Sequence, residues 1–493
     1  MVRKWTRRQL LGGAGAAGIA LAGCAGTAPR PSPASRGHDG LQHFVSRPDL
    51  TPPVLRVSGA APADDSRLTF LNAPWTGTGH GGSMIHDSRG ELIWLGPNTP
   101  AEHRMDFAVQ AYRGKPVLTW WEGLLVNGWG LGRGVIADSS YRTAHVIRAA
   151  RGLQADLHEL FLTPQGTALI TAYRTSPADL SAVGGPASGG YVVSGVAQEI
   201  DIATGALVFE WDSRDHVPLT ESHQAFAGGT RDNPYNYFHI NSISVAPDGD
   251  LLISARNTWT IYKVARPSGR IAWRLGGKKS DFALGPGVRF HWQHHVRPHG
   301  PDVLTVFDNG AAPALERRSR GLILHLDTGA RRVTLARELI HPGRRLLAGA
   351  MGSIQLLPGG RTMVGWGSRA YFSEFDSAGR LLADTGMGPS HPSYRALSYP
   401  WAGHPAEAPA LAARPRPGGA TVHASWNGAT GVASWAVLAG PSVTSLAPVG
   451  SALRAGFETA IAVPSRGPYF AVEPRDAGGR PLARSAPARL SLS

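Results

Sequence analysis

The chain has 493 residues, one cysteine and a formal net charge of +14. The single cysteine excludes an intrachain disulfide and a cysteine-built zinc site. The arginines are spread out with no basic block or nucleic-acid module, so no nucleic-acid partner is expected and the charge fits solubility or an anionic substrate.

The first residues read as an export signal. Arg7-Arg8 followed by Leu10-Leu11 looks like a twin-arginine motif. The short apolar run behind it stops at Leu21-Ala22-Gly23-Cys24, which looks like a bacterial lipoprotein processing site. Residues 1–24 are therefore expected to be a signal peptide. Cys24 would be lipidated and would anchor the mature protein to the outer face of the cytoplasmic membrane. The apolar run is short for a membrane-spanning helix, and no later segment is long enough to cross a bilayer. Residues 25–44, rich in Pro, Ser and Ala, read as a flexible tether.

From there the chain repeats itself. Abundant Gly and Pro (62 and 38 residues) favour many short strands over long helices. Arg67–Leu71 with Met84–Trp94 forms one unit, and Val109–Trp121 with Gly134–Ile147 a second. Four clearer copies begin at Asp156, Phe238, Trp292 and Gly352, each reading strand, Pro/Gly turn, strand. Each is followed by a second hairpin, ending at Trp211, Leu275, Leu335 and Leu382. Four-stranded units of roughly 40–50 residues are the signature of propeller blades. The expectation is an all-β chain with a six-bladed β-propeller over residues 45–408, seven blades being the alternative. Past Pro409 the pattern changes to alternating strands from Val422 and Gly456. Residues 409–493 read as a small immunoglobulin/fibronectin-like β-sandwich with Trp426 and Trp435 in its core. The alternative there is a seventh blade plus a tail.

A propeller aligns the first strands of its blades along a central channel. His158, His239 and His294 sit at first-strand starts and should converge at one mouth. Arg256, Asp308 and Asn309, which end second strands, should lie on the same face, as should Arg320. A ring of histidines has three readings. It can be packing, a metal site, or a site for nucleophilic and electrostatic catalysis on an anion. No His-x-His, His-x3-His or His-Glu-x-x-His spacing supports a metal, and none is expected. His294 and His295 are adjacent on a strand and face opposite ways. For anion chemistry, His239, His294 and Arg320 have the right types: an imidazole to attack, and positive groups to neutralise spread charge. Gly130–Gly134 lacks the spacing of a dinucleotide fingerprint, and Gly276–Ser280 lacks the upstream glycine of a P-loop.

The segments D-L-H-E-L-F-L-T-P-Q-G-T-A-L-I, F-H-I-N-S-I-S-V-A-P-D-G-D-L-L-I-S-A-R, F-H-W-Q-H-H-V-R, V-F-D-N-G, S-R-G-L-I-L-H-L-D and G-S-I-Q-L-L-P-G-G resemble the arylsulfotransferase family of β-propeller proteins. The resemblance runs from about Phe44 to about Gly386, and S-W-N-G-A-T resembles the small sandwich attached to some members. It implies an exported enzyme that moves a sulfuryl group from a phenolic sulfate to a phenol through a sulfohistidine. No nucleotide donor or other cofactor is implied. Carried over, His239, His294 and Arg320 would be catalytic. His158, Asn241, Arg256, Trp292, Gln293, Asp308, Asn309 and Gln355 would bind substrate. The chain departs from the family at one place. The family's sulfated histidine comes from a later blade, and here that blade starts Gly352-Ser353-Ile354-Gln355, with His341 and His391 in loops. Either His294 or His239 then takes the nucleophile's role, or the protein is a non-catalytic binding propeller for an anionic or aromatic ligand.

Overall fold

The computed structural model describes Ser35–Arg36 and residues 40–491, apart from 60–65, 74–80, 100, 267 and 389–390. The expected signal peptide, Cys24 and most of the tether lie outside the described residues. Among the described residues no helix is long and apolar enough to cross a membrane.

Turn chemistry sets the hairpins. In Pro164-Gln165-Gly166 and Pro247-Asp248-Gly249, proline fixes the first turn residue and glycine takes the left-handed conformation (φ 83° and 88°). The strands restart at once, with Thr163 N–H on Thr167 O and Ala246 N–H on Asp250 O. The result is a series of antiparallel four-strand meanders. Sheet II is His103–Tyr112, Lys115–Val126, Trp129–Ala137 and Thr143–Ile147, and sheet III is Ala155–Leu162, Thr167–Ala178, Gly190–Asp201 and Leu207–Asp212. The pair Ala155–Gly132 joins sheets II and III. Sheet IV is Ile240–Val245, Leu251–Ala255, Thr260–Val264 and Ile271–Gly276. Sheet V is His294–Pro298, Val303–Asp308, Arg320–Asp327 and Arg332–Leu339, and sheet VI is Ser353–Leu356, Thr362–Gly365, Tyr371–Phe375 and Leu381–Gly386.

Sheet I is built differently. Arg67–Ala73, Gly82–His86 and Leu92–Leu95 come from the N-terminal side, but Ala396–Pro400 pairs along Arg67–Ala73 as the first strand. In exchange, Arg56–Gly59 extends the outer edge of sheet VI. Neighbouring sheets meet through their inner strands: Ser353–Leu356 meets Ala396–Pro400, Arg67–Ala73 meets His103–Tyr112, and the first strands of sheets II to VI meet one another in sequence order. The arrangement is propeller-like.

These first strands are irregular where they reach the axis. Register breaks fall between Met105 and Ala108, Ala155 and Leu160, Ile240 and Ser242, and His294 and Arg297. Asp106, His239, Trp292, His295 and Met351 have φ between 50° and 63°. Such conformations cost about 1–2 kcal/mol each outside glycine. They re-aim side chains that a regular pleat would send elsewhere. Beneath the histidines four buried or half-buried charges meet. The Arg395 guanidinium bonds Asp106 and Glu159 (3.0 and 3.1 Å to Glu159) and the carbonyl of His158 (2.9 Å). Arg297 forks onto the same Glu159 at 2.7 and 2.8 Å.

The C-terminal residues form two facing sheets. Ala410–Arg416, Gly419–Ser425 and Glu458–Val463 make one, and Ser445–Leu453, Ser434–Ser442, Tyr469–Arg475 and Ala488–Arg489 the other. Val422, Trp435, Val437, Ile461, Phe470 and Val472 share one core. Trp435 is buried in it, whereas Trp426 is half-buried at its rim, donating from Nε1 to Glu407 O at 2.6 Å. This part belongs to the same compact unit as the six sheets. Asn427 makes the joint. Its amide accepts from Leu95 N–H and donates to Leu95 O, both at 2.9 Å, as a paired strand would. Gly428 N–H reaches Ile93 O at 2.7 Å, and Tyr141 OH reaches Gly428 O at 2.7 Å. A Cβ on Gly428 would stand 2.4 Å from the Tyr141 ring, so only glycine fits there. On the other side Glu458 accepts from Val45 N–H at 3.2 Å and Ser46 N–H at 2.6 Å.

Asn427→Ala removes both bonds to Leu95 and leaves that residue's outward N–H and C=O without their partner. Stability in urea should fall by about 1–3 kcal/mol, and limited proteolysis should cut the 401–409 connection faster than in the parent. Asn427→Asp, which keeps the acceptor, should recover part of the loss.

Candidate active site

The three histidines meet. The His158 and His239 rings lie 5.0 Å apart, nearly perpendicular, and the His158 and His294 rings 6.3 Å apart. His158 and His294 are 3% exposed, and His239 is half-buried. Each comes from a different first strand or the residue just before it, at the irregularities described above. His295, one residue on, turns away to sheet VI, where its Nδ1 accepts from Ile354 N–H at 3.3 Å.

Every ring is held through Nδ1. His158 Nδ1 donates to Asp156 at 2.7 Å. The same carboxylate accepts from Thr171 Oγ1, Gly130 N–H and His158 N–H at 2.9, 2.6 and 3.1 Å. His294 Nδ1 donates to Asn309 Oδ1 at 2.7 Å. The Asn309 amide nitrogen donates to Ala348 O and Met351 O, both at 3.0 Å, which turns its oxygen to the ring. His239 Nδ1 meets the amide nitrogen of Asn236 at 2.9 Å. None of the three Nε2 atoms has a hydrogen-bond partner among the described residues.

Two aromatic rings wall the cluster. Tyr173 stands 6.0 Å from His239, is stacked on Trp129 at 5.3 Å, and donates to Ile240 O at 2.8 Å. Tyr394 stands 6.0 Å from His158 and donates to its carbonyl at 3.0 Å. Burial holds both phenols well above their ordinary range, so they act as walls and not as acids. Burial also pushes His239 and His294 well below the usual imidazole range, helped by the positive charge of Arg256. Both rings are therefore neutral at neutral pH.

The two arginines are in opposite states. Arg256 lies over the Trp292 ring at 4.7 Å and bonds Asn257 Oδ1 at 3.0 Å and the carbonyls of Ala312 and Gly349 at 3.2 Å. No carboxylate pairs with it among the described residues, and burial lowers it to about 10, still charged. Arg320 is committed elsewhere. It bonds Asp308 through Nε (3.0 Å) and Nη2, Glu338 at 2.8 Å and Arg289 O at 2.7 Å. Asp308 in turn caps His291 N–H at 2.9 Å. These two residues form a clamp within sheet V, apart from the ring contacts that define the cluster.

The other expected binding residues fall behind the site. Gln293 ties Ser254 Oγ and the carbonyls of Ala255 and Thr260 at 3.0–3.3 Å, and Asn241 donates to Gln293 O at 2.5 Å. Trp292 anchors through Nε1 to Pro313 O at 3.1 Å. Gln355 pairs with both backbone groups of Ser398, at 2.8 and 3.0 Å, and so braces sheet VI against sheet I. Asp156, Asn236, Tyr173 and Tyr394 were not foreseen. Only Asp156 left a trace in the sequence: Asp-x-His at a first-strand start, where residues two apart share a face. Among the described residues no group of three or more His, Cys, Asp or Glu side chains is arranged to hold a metal ion.

Solved structures with a similar trace are remote. A protein of unknown function from Bacteroides caccae is 12% identical, covering 67% of this chain and 98% of its own, with a TM-score of 0.42. Virginiamycin B lyase from Staphylococcus aureus, solved with quinupristin, is 10% identical over 66% of this chain and 87% of its own, with a TM-score of 0.35. No curated protein matches the chain. The family model described as Arylsulfotransferase (ASST) matches residues 108–387, more than half of the sequence and all of sheets III to VI with the histidine cluster. The chain belongs to the arylsulfotransferase family.

Proposed function

We propose that the protein moves a sulfuryl group from a phenolic sulfate to a phenol through a sulfohistidine, without a nucleotide donor. The observation that carries this is the pairing of three imidazoles, each with an unengaged Nε2, with an arginine that lacks a carboxylate. Neutral imidazole is a nucleophile. An unpaired guanidinium in a partly buried setting favours an anion and can neutralise charge developing on sulfuryl oxygens. Arg256 takes this electrostatic role in preference to Arg320, whose charge Asp308 and Glu338 already balance. Tyr173 and Tyr394 give the cluster aromatic walls, which suit an aryl group beside it.

The wider reading is a six-bladed propeller closed by Ala396–Pro400, carrying a fibronectin-type sandwich. Its strand order of first, second and fifth against fourth, third, sixth and seventh supports that type. We further propose that the protein is exported and held at the membrane surface through lipidated Cys24. A second reading, a binding protein for an aryl anion, is favoured by one observation: Gln355 stands where the family's later histidine would enter, and it is spent on Ser398.

Incubation with p-nitrophenyl sulfate and a phenol decides between them. The expected result is p-nitrophenol release that depends on the phenol, and release no higher than in the His239→Ala and His294→Ala variants would remove the enzymatic reading. A crystal holding the sulfate ester at the cluster without turnover would establish the binding reading instead. Arg256→Met should lower kcat/KM by about 100-fold or more. Arg320→Met should act on folding, by about 3–5 kcal/mol, because it strands the buried Asp308 carboxylate. Parallel activity and melting measurements separate the two effects.

A further inference from the structure

The three Nε2 atoms at the site are not equivalent. Asn236 presents its amide nitrogen to His239 Nδ1, and with the amide in that orientation the ring nitrogen accepts and the proton of His239 sits on Nε2. His158 and His294 both donate from Nδ1, so the neutral form of each ring carries its lone pair on Nε2. One ring can thus donate into the shared space, and two can accept or attack. What stands behind those two differs. His294 is backed by the neutral amide of Asn309, His158 by the carboxylate of Asp156.

That difference selects between them. Sulfonation at Nε2 leaves the Nδ1 proton in place and makes the ring cationic. On His158 the new charge lies 2.7 Å from a carboxylate oxygen that already holds the Nδ1 proton. On His294 it would face Arg256 with only an amide behind it, and the charge of Arg256 already opposes a cationic ring there. A fixed carboxylate also locks the ring orientation and tautomer that attack requires.

We infer that His158 is the residue that accepts the sulfuryl group, with Asp156 as its positioning carboxylate; this rests on reading the site as one of sulfuryl transfer. In the first step His158 Nε2 attacks sulfur. The N–S bond forms, the aryl S–O bond breaks, and the phenolate leaves with the electron pair and takes a proton from water. In the second step the acceptor phenol gives its proton to solvent water, its oxygen bonds to sulfur, and the S–N pair returns to His158. His239 Nε2–H and Arg256 hold the sulfuryl oxygens throughout. No histidine from sheet VI is needed, because sheet III supplies one with its own carboxylate.

The test uses the unmodified chain. It is exposed to p-nitrophenyl sulfate without acceptor, quenched at alkaline pH, digested and mapped by tandem mass spectrometry. The expected product carries one SO3 group on His158. SO3 on His239 or His294 overturns this assignment and leaves sulfuryl transfer standing, whereas no SO3 on any residue together with no p-nitrophenol release overturns both. Asp156→Asn should lower kcat by about 100-fold while KM stays within about twofold, a split that a general loss of fold would not give. An unchanged kcat in a variant of parental melting temperature overturns the positioning role.

Discussion

The buried contact between Arg395 and Glu159 is the constraint on which the rest of the molecule depends. Glu159 belongs to the first strand of sheet III, and Arg395 immediately precedes the strand that completes sheet I. Asp106 of sheet II and Arg297 of sheet V complete a set of two positive and two negative groups. Desolvating four charges is expensive, and it is tolerated only because every member has its partner. The same guanidinium bonds the carbonyl of His158. The device that ties sheets I, II, III and V together is therefore also bonded to the backbone of the histidine cluster, so sheet packing and site geometry are coupled.

At that cluster the chemistry depends on a contrast of partners. Arg320 and Arg256 are the same residue type on the same side of their sheets, yet one is enclosed by carboxylates and the other by carbonyls and an indole face. Carbonyls satisfy N–H groups without cancelling charge, so Arg256 keeps its positive potential for a ligand. The histidines follow the same logic. Burial beside that potential keeps His239 and His294 neutral, while Asp156 gives His158 a counter-charge ready for the moment its ring becomes cationic.

Much of the fold was legible because turn chemistry and alternation are local. The Pro-x-Gly turns after Thr163 and Ala246 mark their hairpins in sequence, and the strand starts at His158, His239 and His294 could be aligned from them. What escaped was non-local. Ala396–Pro400 is a lone strand with no hairpin mate beside it in sequence, and its partner Arg67–Ala73 comes far earlier in the chain. Gln355 and Arg320 were assigned by position in the repeat, and position does not reveal that Ser398 or Asp308 has already taken up their hydrogen bonds. Tyr394 enters the site from just before that lone strand, so it could not be seen without it. The bulges that aim His158 and His239 are likewise set by neighbouring sheets and leave no periodic mark.

The late origin of that strand bears on how the protein is made. All three histidines, Asp156 and Arg256 leave the ribosome well before Tyr394 and Arg395 do. Until residue 400 emerges, Glu159, Asp106 and the His158 carbonyl lack their shared guanidinium. A nascent or truncated chain lacks the pairing of Arg67–Ala73 with Ala396–Pro400, and the cluster is completed only when that pair forms. Protein synthesis itself then times the completion of the histidine cluster, and a fragment ending before sheet I is completed should lack that geometry and be open to degradation.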